Sequence, residues 1–208
     1  MMKILAIGAH PDDIEFGCGG ILYKMFKDKH KINLLVMTKG NVGGDSDDRW
    51  LEQKKSAAIL KAQVFYGGFE DTNVNMSREL IQVIEKTLNK VKADVVLANY
   101  LEDTHQDHRN LAKAVETAAR YMKNVLFYEV PTTLNFLPSV FFDIGKVMSK
   151  KEQLLKCHKS QVYKTKVKNL SIIESAKSAA IFRGYQNRVK YAEAFVPQRL
   201  SLELLLKK

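Results

Sequence analysis

Three of the chain's five histidines fall in two short polar clusters, Ala9-His10-Pro11-Asp12-Asp13-Ile14-Glu15 and His105-Gln106-Asp107-His108. Imidazole and carboxylate are the ligand types of a catalytic zinc ion, which takes three protein donors and keeps a fourth position open for water. The His10-x-x-Asp13 spacing lets two donors converge from one tight loop stiffened by Pro11, and His108 can supply the third. Asp12 is then left beside the cation, able to accept a proton from water that the metal acidifies to a pKa of about 7. His105 can donate to a developing oxyanion, while Asp107 can fix the His105 ring or orient His108. Either cluster alone is a common cap or turn. Together they gather imidazoles and carboxylates whose joint burial is costly unless a cation neutralises them.

What must position these clusters is a pair of strands. Lys3–Ile7 and Asp94–Asn99 are short apolar runs, each ending just before one cluster. Further strands are expected at Ile32–Met37, Val64–Tyr66 and Val125–Tyr128, with a short one at Phe141-Phe142. Helices are expected at Gly19–Asp28, Arg49–Lys61, from the Ser77 cap to Lys92, Arg109–Tyr121, Lys150–His158 and Ile172–Arg183. Leu80, Ile84, Leu88 and Val91 form one apolar stripe. Tyr191 and Phe195 read as core residues at helical spacing. Alternating strands and helices imply an α/β fold in a single domain over residues 1–208, with a mostly parallel, doubly wound sheet. In the order 3-2-1-4-5 the first and fourth strands meet at the switch point, where ligands bind at the carboxyl ends of the strands.

Composition narrows the classes. The 208 residues suffice for one core, and 46 % hydrophobic with 27 % charged residues is ordinary for a globular protein. No apolar run approaches the roughly 20 residues that span a bilayer, and none resembles a signal peptide, so a cytoplasmic protein is expected. Cys18 and Cys157 provide no disulfide framework. The net charge of +10 comes from lysines scattered among acids. The densest basic stretch, Lys164 to Lys168, has no aromatic ladder, so nucleic acid is not the expected partner. The basic excess is expected to be a solvated, merely basic surface, with an anionic substrate or lipid as the alternative reason for it. No G-x-G-x-x-G follows the first strand, which argues against nicotinamide binding.

The first cluster, with Gly17-Cys18-Gly19-Gly20 behind it, closely resembles the signature of the LmbE-like (PIG-L) zinc deacetylases. Arg49-Trp50-Leu51-Glu52 resembles that family's Arg-x-x-Glu helix, and Asp103-Thr104-His105-Gln106-Asp107-His108 its Asp-x-His-Pro-Asp-His loop. His158-Lys159-Ser160-Gln161, Arg183-Gly184 and Tyr191-Ala192-Glu193-Ala194-Phe195 are similar to its carboxyl-terminal segments. The resemblance implies a single-domain, Rossmann-like three-layer α/β fold carrying one zinc per chain held by His10, Asp13 and His108, with Asp12 as general base and His105 as oxyanion partner. It also implies hydrolysis of N-acetyl groups from amino sugars and their conjugates. Gln106 departs from the usual proline, and Lys61 stands where a glycine commonly ends the second helix.

Other residues have plainer expectations. Arg49 is expected at the rim, on a sugar hydroxyl or phosphate, unless it merely pairs with Glu52 or Asp48. Glu15 is expected to order a histidine ligand or cap a helix, His158 to pack or cap, and His30 to sit on a surface turn. The rival functions are a two-metal phosphoester hydrolase and a non-catalytic metal- or sugar-binding module. Substrate identity, oligomeric state (a homo-oligomer is compatible) and zinc against another divalent ion are left open.

Overall fold

The computed structural model describes residues 1–203. Seven strands, β1 (Lys3–Gly8), β2 (Lys31–Val36), β3 (Gln63–Tyr66), β4 (Val95–Asn99), β5 (Val125–Tyr128), β6 (Val140–Asp143) and β7 (Ala192–Arg199), make one sheet in the order β3-β2-β1-β4-β5-β7-β6. The first five are parallel, as their helical crossovers demand. β7 runs antiparallel to both β5 and β6 at one edge. The expected order 3-2-1-4-5 is present, and β1 and β4 are neighbours.

Burial on both faces explains why the central strands are continuously apolar. Along β1, Ile4 and Ala6 face a core that includes α1 (Asp13–Lys27), α2 (Ser46–Ile59), α5 (Met148–Lys156) and α6 (Ile172–Gln186). Leu5 and Ile7 face α3 (Arg78–Val91) and α4 (Gln106–Ala118) on the other side. The stripe Leu80, Ile84, Leu88 and Val91 is buried there, and Ser77 caps α3 by accepting from the Leu80 N–H.

Three expectations are corrected. α1 begins at Asp13 rather than Gly19, because a non-helical Cys18 (φ −143°) interrupts a helix that starts earlier. α2 begins at Ser46, where Asp45 accepts from the Asp47 and Asp48 N–H groups as a cap. Phe195 lies in β7 and Tyr191 just before it, so their four-residue spacing is not helical; Phe195 is nonetheless fully buried.

α2 ends in a Schellman motif. The Ala62 N–H donates to the Ala57 carbonyl and the Lys61 N–H to that of Ala58, with Lys61 in the left-handed region at φ 46°. Glycine adopts that conformation without the Cβ penalty, offset in part by its larger unfolded-state entropy. Lys61→Gly should therefore stabilise the fold by about 0.5–1 kcal/mol in urea denaturation.

Candidate metal centre

The carboxyl ends of β1 and β4 deliver the two clusters to one crevice. Asn99, the last residue of β4, accepts from the Ala9 N–H (3.2 Å) and from the Tyr128 hydroxyl (3.3 Å), so the two strand ends are tied where the first cluster begins. Tyr128 also donates to the Ile7 carbonyl at 2.7 Å. Its ring leaves no room for a side chain at position 17, where a Cβ would lie 2.0 Å from it. Gly17 is required by that close approach.

Three potential donor atoms face one another at the crevice floor. His10 Nδ1 and His108 Nε2 are 3.1 Å apart, His108 Nε2 and Asp13 Oδ2 3.3 Å, and His10 Nδ1 and Asp13 Oδ2 3.7 Å. Tetrahedral donors at zinc bond lengths of about 2.0–2.1 Å stand about 3.3–3.4 Å from each other, so the cradle has the size of a zinc ion. All three residues are buried.

The far nitrogen of each imidazole is held by carboxylates, the usual support of a metal-binding histidine. His10 Nε2 meets Asp71 Oδ1 at 3.0 Å and Asp107 Oδ2 at 3.1 Å; His108 Nδ1 meets Asp103 Oδ2 at 3.1 Å. Burial by itself would drive protons off both rings. The surrounding carboxylates outweigh it, raising His10 well above its ordinary value and His108 to about 9. Asp13 is also opposed by burial, yet His108 and His10 hold it well below the usual carboxylate range. The two nitrogens, 3.1 Å apart with a carboxylate beside them, form a donor set able to hold a cation once the imidazoles are deprotonated.

Two other sets of donors, from His10, His105 and His108 and from His10, Asp71, His105 and Asp107, also lie within 4.8 Å of one another. Asp107 accepts from the Thr72 and Val74 N–H groups, and Asp71 from that of Val42.

Asp107 supports His10 through its carboxylate, where the sequence suggested the His105 ring or His108. Its link to His105 runs through the backbone, the Asp107 N–H donating to His105 Nδ1 at 3.2 Å. That bond leaves Nδ1 unprotonated and puts the ring proton on Nε2. Burial, then the nearby His10 and His108, lowers the His105 pKa, so the ring is a neutral donor.

Asp12 caps α1 in the left-handed region (φ 96°, ψ −22°) without using its side chain as a cap. Burial raises its pKa to about 6, opposed chiefly by Arg49. Arg49 is not at the rim and pairs with neither Glu52 nor Asp48. It is 5 % exposed, donates to the Gly40 carbonyl (2.7 Å) and the Pro11 carbonyl (2.9 Å), and stands 3.8 Å from Asp12. Its Nε has no partner among the described residues. Glu15 orders His158 rather than a ligand, 3.4 Å away, and accepts from Gln53 and Ser56. His30 accepts from the Met2 N–H at the far end of β1.

Asp71 and Asp103 lacked any assigned role in the sequence. The available signal was positional, since loops after β3 and β4 end at the same crevice as those after β1. Gln106, in place of proline, donates to the Thr72 carbonyl and so tethers the Asp71 loop to α4. Asp103→Asn removes the charge behind His108 and should weaken zinc binding about 10–100-fold, measured by competition with a chromogenic chelator.

A pocket of about 420 Å³ opens above the cradle, lined by Asp12, His105, Arg49, Thr132, Lys164 and Lys166 among others. Among the described residues no helix is long and apolar enough to cross a membrane. The PIG-L family, described as GlcNAc-PI de-N-acetylase, matches residues 5–119. The chain is 38 % identical over 167 residues to the uncharacterised deacetylase YaiS of Escherichia coli K12, spanning 76 % of this chain and 90 % of that protein. Diacetylchitobiose deacetylase of Thermococcus kodakarensis is 27 % identical over 186 residues, spanning 76 % of this chain and 70 % of the relative. The fold of N,N'-diacetylchitobiose deacetylase from Pyrococcus horikoshii, solved with its inhibitor MPG, superposes with a TM-score of 0.82 at 23 % identity, over 95 % of this chain and 84 % of that one.

Proposed function

The chain belongs to the PIG-L family, and from that premise we propose that it hydrolyses the N-acetyl amide of an N-acetylglucosamine-like amino sugar or its conjugate. The observation that carries this reading is one pocket holding a three-donor cradle together with a carboxylate and a neutral imidazole. His10, Asp13 and His108 would hold one Zn²⁺, which supplies a Lewis acid able to polarise an amide carbonyl and acidify water.

The chain's own residues supply the proton traffic. Asp12, its side chain free of capping duty, takes a proton as water forms the new C–O bond. It returns that proton to nitrogen as the C–N bond breaks, leaving acetate and the free amine. His105 donates from Nε2 to the oxygen that gains charge. Asp107 is a positioning residue, holding His10 with its carboxylate and the His105 tautomer with its N–H. Arg49 tempers Asp12 and lines the pocket beside it, where its guanidinium is assigned to fix the position of Asp12.

Zinc-loaded protein should release acetate from N-acetylated amino sugars, lose that activity to a chelator and regain it at about one metal per chain. His105→Ala should lower kcat roughly 10²–10³-fold with metal retained. Two metals per chain would support phosphoester hydrolysis instead. Acetate release from none of the sugars would leave a binding module.

A further inference from the structure

We infer that a second cavity, away from the cradle, binds a compact polyphosphate anion, the chemistry shared by nucleoside di- and triphosphates and free polyphosphate. The inference is independent of the deacetylase reading. The cavity holds about 540 Å³, within the range of small-ligand sites, and lies between the end of α1 and the start of α5. Lys24 and Lys27 of α1, Lys146 of the turn Gly145–Val147 and Lys150 of α5 line it, with Tyr23 and one carboxylate, Asp143. It shares no lining residue with the pocket above the cradle. Along α1, at a rise of about 1.5 Å per residue, Lys24 and Lys27 stand roughly 16–21 Å from Asp13.

The four charges are uncompensated. Among the described residues none of these lysines has a carboxylate within ion-pair distance, whereas Lys39, Lys123 and Lys151 each do. Asp143 accepts from the Gly145 N–H at 2.8 Å, and the Lys150 ammonium donates to neutral Gln153 at 3.1 Å. Helix dipoles account for only half of the set. Lys24 and Lys27 lie in the last turn of α1, where positive charge is favoured. Lys146 and Lys150 flank the amino end of α5, where it is disfavoured, and that first turn has neither an acidic residue nor a side-chain cap. An anion in the cavity relieves the repulsion across it and at the α5 end alike. The two walls are anchored to one another. Ile144 packs on α1 so closely that a Cβ at Gly20 would lie 2.9 Å from it, and its N–H donates to the Tyr191 carbonyl at 3.0 Å. Ile144 and Met148 are buried together with Ala180. Lys146 and Lys150 thus ride on fixed backbone. A cavity of this size between two helices, with no aromatic ladder, suits a short cluster of phosphates rather than a nucleic-acid strand.

Calorimetry with inorganic tripolyphosphate should show saturable binding that weakens as salt rises. K24Q/K146Q, one lysine from each wall, should weaken it at least about tenfold, with the rate of acetate release unchanged. Any contact with a cation at the cradle is common to both proteins and cancels in the comparison. Thermal melting gives a second readout. Without ligand, K146Q should melt no lower than wild type, because it removes a cation from the amino end of a helix, yet tripolyphosphate should raise its Tm less. ADP binding tighter than pyrophosphate would identify a nucleotide as the source of the phosphates; equal binding would identify free polyphosphate. No saturable binding, or an undiminished affinity in K24Q/K146Q, would overturn the inference. So would tighter binding of an RNA oligonucleotide that is lost in the same variant.

Discussion

Asp12→Asn should lower the rate of deacetylation about 10²–10⁴-fold while the protein keeps its fold and its metal. Asparagine is the informative replacement. It tolerates the left-handed backbone at φ 96° better than alanine does, and it preserves the size of the side chain beside Arg49. The Asp12 side chain caps nothing and its nearest cation is 3.8 Å away, so its charge can be removed without orphaning a donor. What is lost is the proposed proton acceptor. Metal content measured alongside kcat separates this from damage to His10 or Asp13. A variant retaining more than about a tenth of the wild-type kcat would remove Asp12 from the mechanism.

The same residue gives the reaction a pH signature. Burial lifts the carboxyl from its ordinary 3.8 to about 6 against the pull of Arg49, and a divalent cation beside it lowers it again. A base must be deprotonated to work, so kcat should rise with pH through a limb at or below about 6, and that limb should vanish in Asp12→Asn. Stability runs the opposite way. A carboxyl with a raised folded-state pKa contributes stability below about 4 and loses it as pH rises through about 6. At neutral pH the metal-free asparagine variant should therefore melt no lower than the parent.

The cradle was legible in the sequence because its donors follow apolar strand runs, and strand ends in a parallel sheet converge. The carboxylates behind the histidines were harder to see. Asp71 sits in a loop of polar residues after β3 with no spacing of its own, and only the fold brings it 3.0 Å from His10. The role of Arg49 could not be read locally either. Its partners are carbonyls at positions 11 and 40, which carry no side-chain signal. β7 escaped notice for a different reason. Ala192, Glu193, Ala194 and Phe195 are all buried, so the two-residue alternation that marks a half-exposed strand is erased, leaving a four-residue aromatic spacing that also suits a helix. Glycines hid the start of α1 by lowering the helical signal where the helix in fact breaks.

That break accounts for the largest stability effect expected of any single side chain away from the candidate metal centre. At Cys18 the helical hydrogen-bond pattern of α1 lapses, freeing acceptors before it and donors after it. Glu193, from β7, accepts from the Gly20 and Ile21 N–H groups, each at 2.7 Å, as a cap on the second half of the helix. Lys151, from α5, donates to the Phe16 carbonyl on the first half and to Glu193 at 2.5 Å. Both side chains are almost wholly buried. The pair fills both sides of a gap that no apolar side chain can satisfy, and it holds the half of α1 that presents Asp13. Lys151→Met leaves the Glu193 carboxylate buried without its cation and the Phe16 carbonyl without its donor. The cost should be about 3–5 kcal/mol, or a Tm lower by roughly 10 °C for a domain of this size. Glu193→Gln should cost a similar amount by stranding the lysine. The double variant K151M/E193Q should lose clearly less than the two single losses combined, because neither charge then remains unpaired. Losses below about 1 kcal/mol in either single variant, or strict additivity in the double, would show that the kink holds itself together without the pair.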